Sequence, residues 1–280
     1  MDFIGIGAAR CSTTWIHECL NAHPQISMPL KKELHFFDND NNYNKGIKYY
    51  ENQISHKKHE IVKGEMTPRY ILYKPCMEKI KNHYPESKII ISLRNPVERT
   101  VSQYKYFKLN KKKEPNVSLL KAMESSFYED YILKSLYCNQ IINVYSVFEE
   151  SNVIILYDNE IYKNPKESIK KLYRFLGVET EFLPDEVYKK FNASKNVYCE
   201  PRKIWARVKQ IQNPNNRFIN DVFYGQKFGN IVSRVLLKNK FAIKTVNYID
   251  RMHNSDARSK SLVVNEEDKK YLYYKYFLHV

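Results

Sequence analysis

The sequence predicts an α/β fold in which a central parallel sheet is flanked by helices, with a helical part at the C-terminal end. Short apolar runs typical of buried strands alternate with segments of helical periodicity over roughly the first 180 residues. Two of these runs lead into loops that carry small, hydroxyl and arginine residues. Such loops are typical of the carboxyl ends of parallel strands, where α/β proteins bind ligands.

The predicted elements follow one another along the chain in a regular order. Strands are predicted at 3–6, 60–65, 88–93 and 152–156. A first helix ends near residue 22, and further helices are predicted at 43–59, 75–84, 96–109, 118–129, 135–150, 165–176, 231–243 and 266–277. Gly177 would end the helix at 165–176, because glycine readily adopts the left-handed conformation. Residues 1–200 are therefore predicted to form an α/β core, and residues 201–280 a basic helical extension packed on the same domain.

The loop after the first strand has the composition of an anion-binding loop. The stretch 7–11 is followed by Ser12, Thr13 and Thr14, whose hydroxyls are suited to capping a helix N-terminus. Backbone N–H groups and the helix dipole would converge there on a phosphate, and Arg10 would add a full positive charge. An ordinary βα turn is the alternative, since loops of this kind also occur without ligands.

A second loop, after the strand predicted at 88–93, also favours anion binding. Arg94 follows the strand at 88–93, Pro96 suits the first turn of the next helix, and Ser102 lies about two turns into it. Two such strand ends could hold a ligand that carries two separated phosphate groups. A small-molecule kinase is the weaker alternative, because the Gly-Lys pair of the GxxxxGK[ST] pattern does not precede Ser12 or Thr13.

Four motifs resemble those of the PAPS-dependent sulfotransferases and occur in the same order. GAARCSTTWI at 7–16 is similar to the family's 5′-phosphosulfate loop, and LRNPVERTVSQY at 93–104 is similar to its 3′-phosphate motif. KELHFFD at 32–38 and GEMTPRY at 64–70 are similar to segments of the glycan (heparan sulfate-type) branch. A weaker resemblance continues to about residue 203.

The resemblance implies a P-loop-kinase-like fold and a transfer of the sulfuryl group from PAPS that leaves PAP and requires no metal. The implied acceptor is a hydroxyl or amine of a saccharide or lipid-linked saccharide (a glycolipid). The implied donor-binding residues are Arg10, Cys11, Ser12, Thr13, Thr14 and Trp15 around the 5′ group, Arg94 and Ser102 at the 3′-phosphate, and Arg202 in a later basic loop.

The same resemblance names the candidates for catalysis. Arg10 would stabilise charge on the oxygen between PAP and the sulfuryl group, as a permanently charged residue where most of the glycan branch has lysine. Glu33 matches the carboxylate that acts as base, and His35 is the competing base because its ordinary pKa suits the task. We favour Glu33, and Glu65 is a weaker third choice.

One position departs from the pattern of the glycan branch. Met66 stands where that branch often has lysine after the glutamate. Either Lys32 or Arg69 would then supply the missing charge, or the acceptor is held in a different geometry.

The charge of the chain favours acidic partners. Lys and Arg number 46 against 31 Asp and Glu, a formal net charge of +15, although a biased composition would also produce such a value. The basic, aromatic region at 200–260, with an amphipathic helix at 231–243, could dock an anionic acceptor or membrane surface. Packing of that helix on the core is the favoured alternative. A non-catalytic nucleic-acid-binding protein is the remaining alternative, and no recognised nucleic-acid motif supports it.

The cysteines and apolar runs predict a cytoplasmic protein. Five scattered cysteines with no CxxC pair are typical of reduced thiols. The first strand begins at residue 3, and no apolar run reaches the ~18–20 residues of a spanning helix, so we expect neither a signal peptide nor an anchor. A bacterial-type or viral enzyme is the resulting expectation, and its oligomeric state is left open.

Overall fold

The computed structural model describes residues 1–54, 56–109, 128–131, 133–189 and 191. These residues fall into two compact units. The first unit contains the described residues of 1–94, 98–109 and 147–191, and the second contains those of 95–97 and 128–146. All the strands and every predicted site residue except Arg202 belong to the first unit.

The first unit is built on a five-stranded sheet in the order β2-β3-β1-β4-β5, with every strand pair parallel. The strands are β1 (Phe3–Gly7), β2 (Ile26–Ser27), β3 (Val62–Met66), β4 (Lys88–Leu93) and β5 (Val153–Tyr157). β1 is buried along its whole length, as is typical of a central strand of a parallel sheet that is covered on both faces.

Helices connect the strands, as parallel pairing requires. They are α1 (Thr13–Ala22), α2 (Asp40–Tyr43), α3 (Ile47–Glu51), α4 (Lys74–His83), α5 (Pro96–Leu109), α6 (Tyr128–Tyr131), α7 (Tyr137–Val147), α8 (Asp158–Lys163) and α9 (Pro165–Leu176). Short 3₁₀ helices lie at Tyr70–Leu72, Leu133–Ser135, Glu150–Asn152 and Asp185–Tyr188.

The core on one side of the sheet is formed by α1 and α9. The buried residues of α9 are spaced by three and four positions, so that they form one apolar stripe: Ile169, Leu172, Tyr173 and Leu176. They join buried residues of α1 and of the strands in a single apolar cluster. α9 ends at Gly177, which has φ 81° as predicted for a helix-terminating glycine.

The second unit contains α6 and the residues of α7 up to Ser146. α6 contacts the 3₁₀ helix Leu133–Ser135 that follows it. The buried residues of α7 are mostly apolar and aromatic, and within this unit they are Tyr137, Gln140, Ile141, Ile142, Val144 and Tyr145.

The predicted parallel sheet and its flanking helices are confirmed, with differences in detail. The two-residue edge strand β2 was not predicted, because so short a strand has no periodicity to detect. The continuous helix predicted at 43–59 is wrong. Gly46, with φ 85°, separates α2 from α3, and the chain is irregular from Asn52 to Ile61 where it is described. The predictions for 118–127, 231–243, 266–277 and the extension 201–280 lie outside the described residues.

Candidate active site

The carboxyl ends of four neighbouring strands carry the polar residues of the site. β1 is joined to α1 by the loop 8–12, and the Ala8 N–H donates to the carbonyl of Ser92 in β4 at 2.8 Å. Leu93 of β4 and Tyr157 of β5 are partners in the sheet, so Arg94 and Asp158 emerge next to each other. β3 ends in Glu65 and Met66 beside β1.

Arg10 lies against the helix that follows β4. Its Nε donates to the Ser102 hydroxyl at 3.2 Å, and its guanidinium stacks on the ring of Tyr106 at 4.7 Å. Arg99, which is fully buried, donates from Nε to the Ala9 carbonyl at 3.3 Å and so binds the backbone of the loop. Burial, and then the charge of Arg99, lowers the pKa of Arg10. An arginine remains protonated even so, and the loop therefore carries a permanent positive charge.

Arg94 and Ser12 are joined through one carboxylate, that of Asp158. The Ser12 hydroxyl donates to Asp158 Oδ1, and Arg94 Nε lies 3.4 Å from Asp158 Oδ2. Arg94 Nε also donates to Glu98 Oε2 at 3.0 Å. Burial opposes the charge of Arg94, but the two carboxylates outweigh it and raise the pKa of the guanidinium.

The backbone is left-handed at the residues predicted to act. In the described part of the chain, the non-glycine residues with positive φ are Arg10 at 71°, Ser12 at 56°, Glu33 at 65° and His35 at 49°. Each such residue costs on the order of 1 kcal/mol or more, and conformations of this kind collect at functional sites. Four unfavourable conformations at one edge of the sheet indicate that this edge is organised for a purpose beyond folding.

The segment 11–15 also contributes side chains to the interior of the protein. Cys11, Thr13 and Trp15 are buried, and the Trp15 indole donates to the Val187 carbonyl at 3.2 Å. The expected helix cap is also wrong, because the Ser12 side chain makes no capping hydrogen bond and binds Asp158 instead. The first N–H groups of α1 are thus not capped by Ser12, which leaves the end of this ten-residue helix suited to an anion.

The segment 32–38 forms a second cluster around Glu33 and His35. His35 Nε2 lies 3.6 Å from Glu33 Oε2, and His35 Nδ1 lies 3.0 Å from the buried carboxylate of Asp38. Lys32 Nζ lies 3.1 Å from Glu33 Oε1 and donates to the Thr14 hydroxyl of α1 at 3.2 Å. Lys32 therefore connects the cluster around Glu33 to the first turn of α1.

Opposite shifts in pKa divide Glu33 from His35. The hydrogen bond with His35, reinforced by Lys32, lowers the pKa of Glu33 to about 2 against the cost of burial. The bonds with Asp38 and then Glu33 raise the pKa of His35 to about 9. At neutral pH Glu33 is a carboxylate that can accept a proton, and His35 is a cation that cannot.

A buried carboxyl lies beneath this cluster. Glu65 is fully buried and accepts from the Thr67 hydroxyl at 2.8 Å and from the Tyr50 hydroxyl at 3.3 Å. The Thr67 oxygen also accepts from the His35 N–H at 3.4 Å. Burial raises the pKa of Glu65 to about 7 despite these hydrogen bonds.

Two aromatic residues anchor the segment that carries Glu33 and His35. Phe36 and Phe37 are buried, and the ring of Phe36 stacks on Tyr50 with centroids 4.6 Å apart. The N–H of Phe36 donates to the Tyr70 hydroxyl at 2.9 Å. These contacts hold the segment against α3 and the 3₁₀ helix Tyr70–Leu72.

Sequence reasoning passed over several residues of the site. Asp158, Asp38, Arg99 and Tyr106 were given no role, although Asp158 follows a predicted strand as Arg94 does, and that signal could have found it. Arg202 lies outside the described residues.

Two features are absent from the described residues. No group of three or more His, Cys, Asp or Glu side chains there is arranged to hold a metal ion. In that same part of the chain, none of the helices combines the length and the apolar character needed to cross a membrane.

Comparison with known proteins connects this geometry to a family. A family model described as "Sulfotransferase domain" matches residues 1–255. Human heparan sulfate glucosamine 3-O-sulfotransferase 5 is 26% identical over 211 residues, which are 69% of this chain and 58% of the human protein. Membrane-associated sulfotransferase kil1 of Dictyostelium discoideum is 34% identical over 108 residues, which are 38% of this chain and 22% of that protein. The chain thus spans less than two thirds of the length of these relatives.

The fold also has a solved counterpart. The crystal structure of a sulfotransferase from Alicyclobacillus acidocaldarius superposes with a TM-score of 0.63 at 24% identity, covering 79% of this chain and 94% of that one. At this level of identity the likeness concerns the fold, and it agrees with the predicted fold class.

Proposed function

The chain belongs to the sulfotransferase domain family, and from this membership we propose that it transfers the sulfuryl group of PAPS to a saccharide or lipid-linked saccharide. The enzyme class predicted by the motifs is confirmed at the level of the family. The donor, the acceptor and the roles of single residues are our proposal.

One observation carries the proposal for the donor: Arg10, Ser102, Ser12 and Arg94 meet at the carboxyl edge of β1 and β4. Two arginines, the Ser102 hydroxyl and a helix N-terminus are donors of the kind that bind phosphate groups. The residues therefore fit a ligand with two phosphate groups. Thr14 and the first N–H groups of α1 would hold the 5′ group, while Ser12 holds the loop in place through Asp158. Arg94 with Ser102 would hold the 3′-phosphate.

The hydrogen bond from Arg10 to the Ser102 hydroxyl joins the two proposed subsites. Arg10 therefore lies within reach of both phosphate groups. As a cation that keeps its proton, it would neutralise charge that develops on the leaving phosphate.

The proposed base is Glu33. PAPS supplies an activated sulfuryl group whose bond to the 5′-phosphate breaks as the acceptor oxygen or nitrogen bonds to sulfur. Glu33 accepts the proton that the acceptor loses, since it is ionised at neutral pH while His35 is protonated. Lys32, which contacts both Glu33 and Thr14, would keep the base close to the donor loop.

A saccharide acceptor is supported by the relatives whose names refer to heparan sulfate. The net charge of +15 favours an acceptor that carries acidic groups or lies at an anionic membrane surface. Cytoplasmic location stays a prediction.

Calorimetric titration with PAP tests the donor proposal. We expect PAP to bind with micromolar affinity and ATP to bind at least about tenfold more weakly, because ATP has no 3′-phosphate for Arg94. Arg94→Ala should weaken PAP binding by about tenfold or more. Absence of PAP binding to the wild-type protein at low salt would refute the proposed function.

A further inference from the structure

Asp158 occupies a position that the donor proposal does not explain. Its side chain is buried between Ser12 and Arg94, and it places a carboxyl group where a phosphate-binding site is expected to be positive. Burial raises the pKa of this carboxyl, and the charge of Arg94 opposes that shift. An acid beside a proposed phosphate site repels the ligand, so its presence calls for a compensating role.

The position of Asp158 follows from the sheet. Tyr157 and Leu93 are register partners, so the next residue of each strand, Asp158 and Arg94, leaves the sheet at the same edge. β4 also pairs with β1, whose following loop brings Ser12 to the same place. Three strand ends thus meet at a single carboxylate.

The two oxygens of Asp158 serve the two halves of the proposed donor site. Oδ1 accepts from Ser12, which belongs to the 5′ loop and has a left-handed backbone. Oδ2 lies nearest Nε of Arg94, and Glu98 is bound through the same Nε. Within the described residues, the terminal Nη nitrogens of Arg94 make no hydrogen bond, so their edge of the guanidinium can bind a phosphate in bidentate fashion.

We propose that Asp158 is a positioning residue that couples the two phosphate subsites, by holding the 5′ loop at Ser12 and the 3′-phosphate residue Arg94 at a set separation. The inference rests on the proposed function, and it concerns a nucleoside with phosphates on both the 3′ and 5′ oxygens. Such a ligand gains from a set separation because both phosphates bind without reordering the site, whereas a nucleoside with one phosphate gains little.

Glu98 provides the contrast. It also contacts Arg94, but its side chain is 53% exposed, and the Ser12 hydroxyl donates to Asp158 and not to Glu98. A change at Glu98 can alter the charge around Arg94, yet it cannot loosen the link between the two subsites.

The test compares three ligands by calorimetry: PAP, adenosine 5′-phosphate and adenosine 3′-phosphate. The measured quantity is the affinity advantage of PAP over the better of the two monophosphates. We expect Asp158→Ala and Asp158→Asn to reduce this advantage about tenfold, and Glu98→Gln to change it less than about threefold. Asp158→Asn preserves the size of the side chain and its acceptor for Ser12, which covers the case in which Asp158→Ala does not fold.

The outcomes separate the two proposals. If the wild-type protein binds PAP and the Asp158 variants retain its full advantage, the coupling is refuted and the proposed function stands. If the wild-type protein does not bind PAP, the proposed function fails, and the coupling fails with it. A loss of the advantage in the Glu98 variant equal to that in the Asp158 variants would also refute the assignment to Asp158.

Discussion

At the scale of single residues, protonation distinguishes two side chains that the sequence offers as candidate bases. Glu33 and His35 lie two positions apart, both have left-handed backbones, and either could serve as a base by residue type. Asp38 decides between them, because its buried carboxylate binds His35 Nδ1 and stabilises the imidazolium. The protonated His35 and Lys32 then keep Glu33 ionised.

This division predicts the effect of exchanging each residue. Glu33→Gln should lower the rate of sulfuryl transfer by about 10²–10⁴-fold, which is the contribution expected of a general base. The affinity for PAP should stay within about twofold, because Glu33 is assigned to the acceptor and not to a phosphate. Transfer is measured with labelled PAPS, and PAP binding by calorimetry.

The matched variant is His35→Asn, which removes the imidazolium and leaves the carboxylate of Glu33. We expect a smaller loss of transfer than in Glu33→Gln, since His35 orients the base. A loss in His35→Asn larger than that in Glu33→Gln would make His35 the base and overturn the assignment.

At the scale of secondary-structure elements, one buried carboxyl connects the end of β3 to its surroundings. Glu65 accepts from Tyr50 of α3 and from Thr67, and Thr67 in turn accepts from the backbone of His35. Tyr70, in the 3₁₀ helix that follows, accepts from the N–H of Phe36. The left-handed segment that carries Glu33 is therefore held by hydroxyl groups gathered around Glu65.

The raised pKa of Glu65 predicts how stability depends on pH. The folded protein binds this proton up to about pH 7, whereas the unfolded chain releases it near the ordinary value of 4.5. Its contribution to the free energy of unfolding is complete below pH 4.5 and is lost as the pH rises to 7 and beyond, by about 3 kcal/mol. Glu65→Gln, which does not titrate, should remove this part of the pH dependence.

Urea unfolding of both proteins between pH 4.5 and 8 measures the difference. Glu78→Gln, at an exposed position of α4, is the control and should leave the pH dependence as in the wild type. Parallel curves for wild type and Glu65→Gln would contradict the shifted pKa.

At the scale of the whole molecule, charge governs the approach of an anionic ligand. The chain has a net charge of +15, whereas the proposed donor site uses two arginines, Arg10 and Arg94. Such a charge attracts anions over a distance set by the ionic strength, about 30 Å at 0.01 M and about 8 Å at 0.15 M.

We therefore expect the association rate of PAP to fall about fivefold or more between these two salt concentrations. Stopped-flow measurement with a fluorescent PAP analogue gives this rate. Adenosine is the uncharged control and should show no such dependence. Equal salt dependence for both ligands would show that the net charge has no part in capturing the donor.

The sequence by itself determined the parts that depend on neighbours along the chain. Apolar runs identified four of the five strands, and four short motifs resembled those of the family to which the chain belongs. Short motifs named the candidate residues. Three of them follow predicted strands, namely Arg10, Ser12 and Arg94, and the fourth, Glu33, lies in the motif at 32–38. The short edge strand β2 and the break at Gly46 were not predicted, because a strand of two residues or a single glycine leaves no periodic pattern in the sequence.

Only the tertiary structure decided which of those residues meet. Ser12 binds Asp158 across 146 positions, and Arg10 binds Ser102 across 92, and neither pairing has a local signal. Parallel register brings the strand ends together. Burial raises the pKa of Glu65, whereas hydrogen bonds with Asp38 and Glu33 raise the pKa of His35 against the effect of burial. The hydrogen bonds around Glu33 and the pairing of distant residues are properties of the folded chain, so the protonation of the base and the link between the two subsites could not be predicted from the order of the residues.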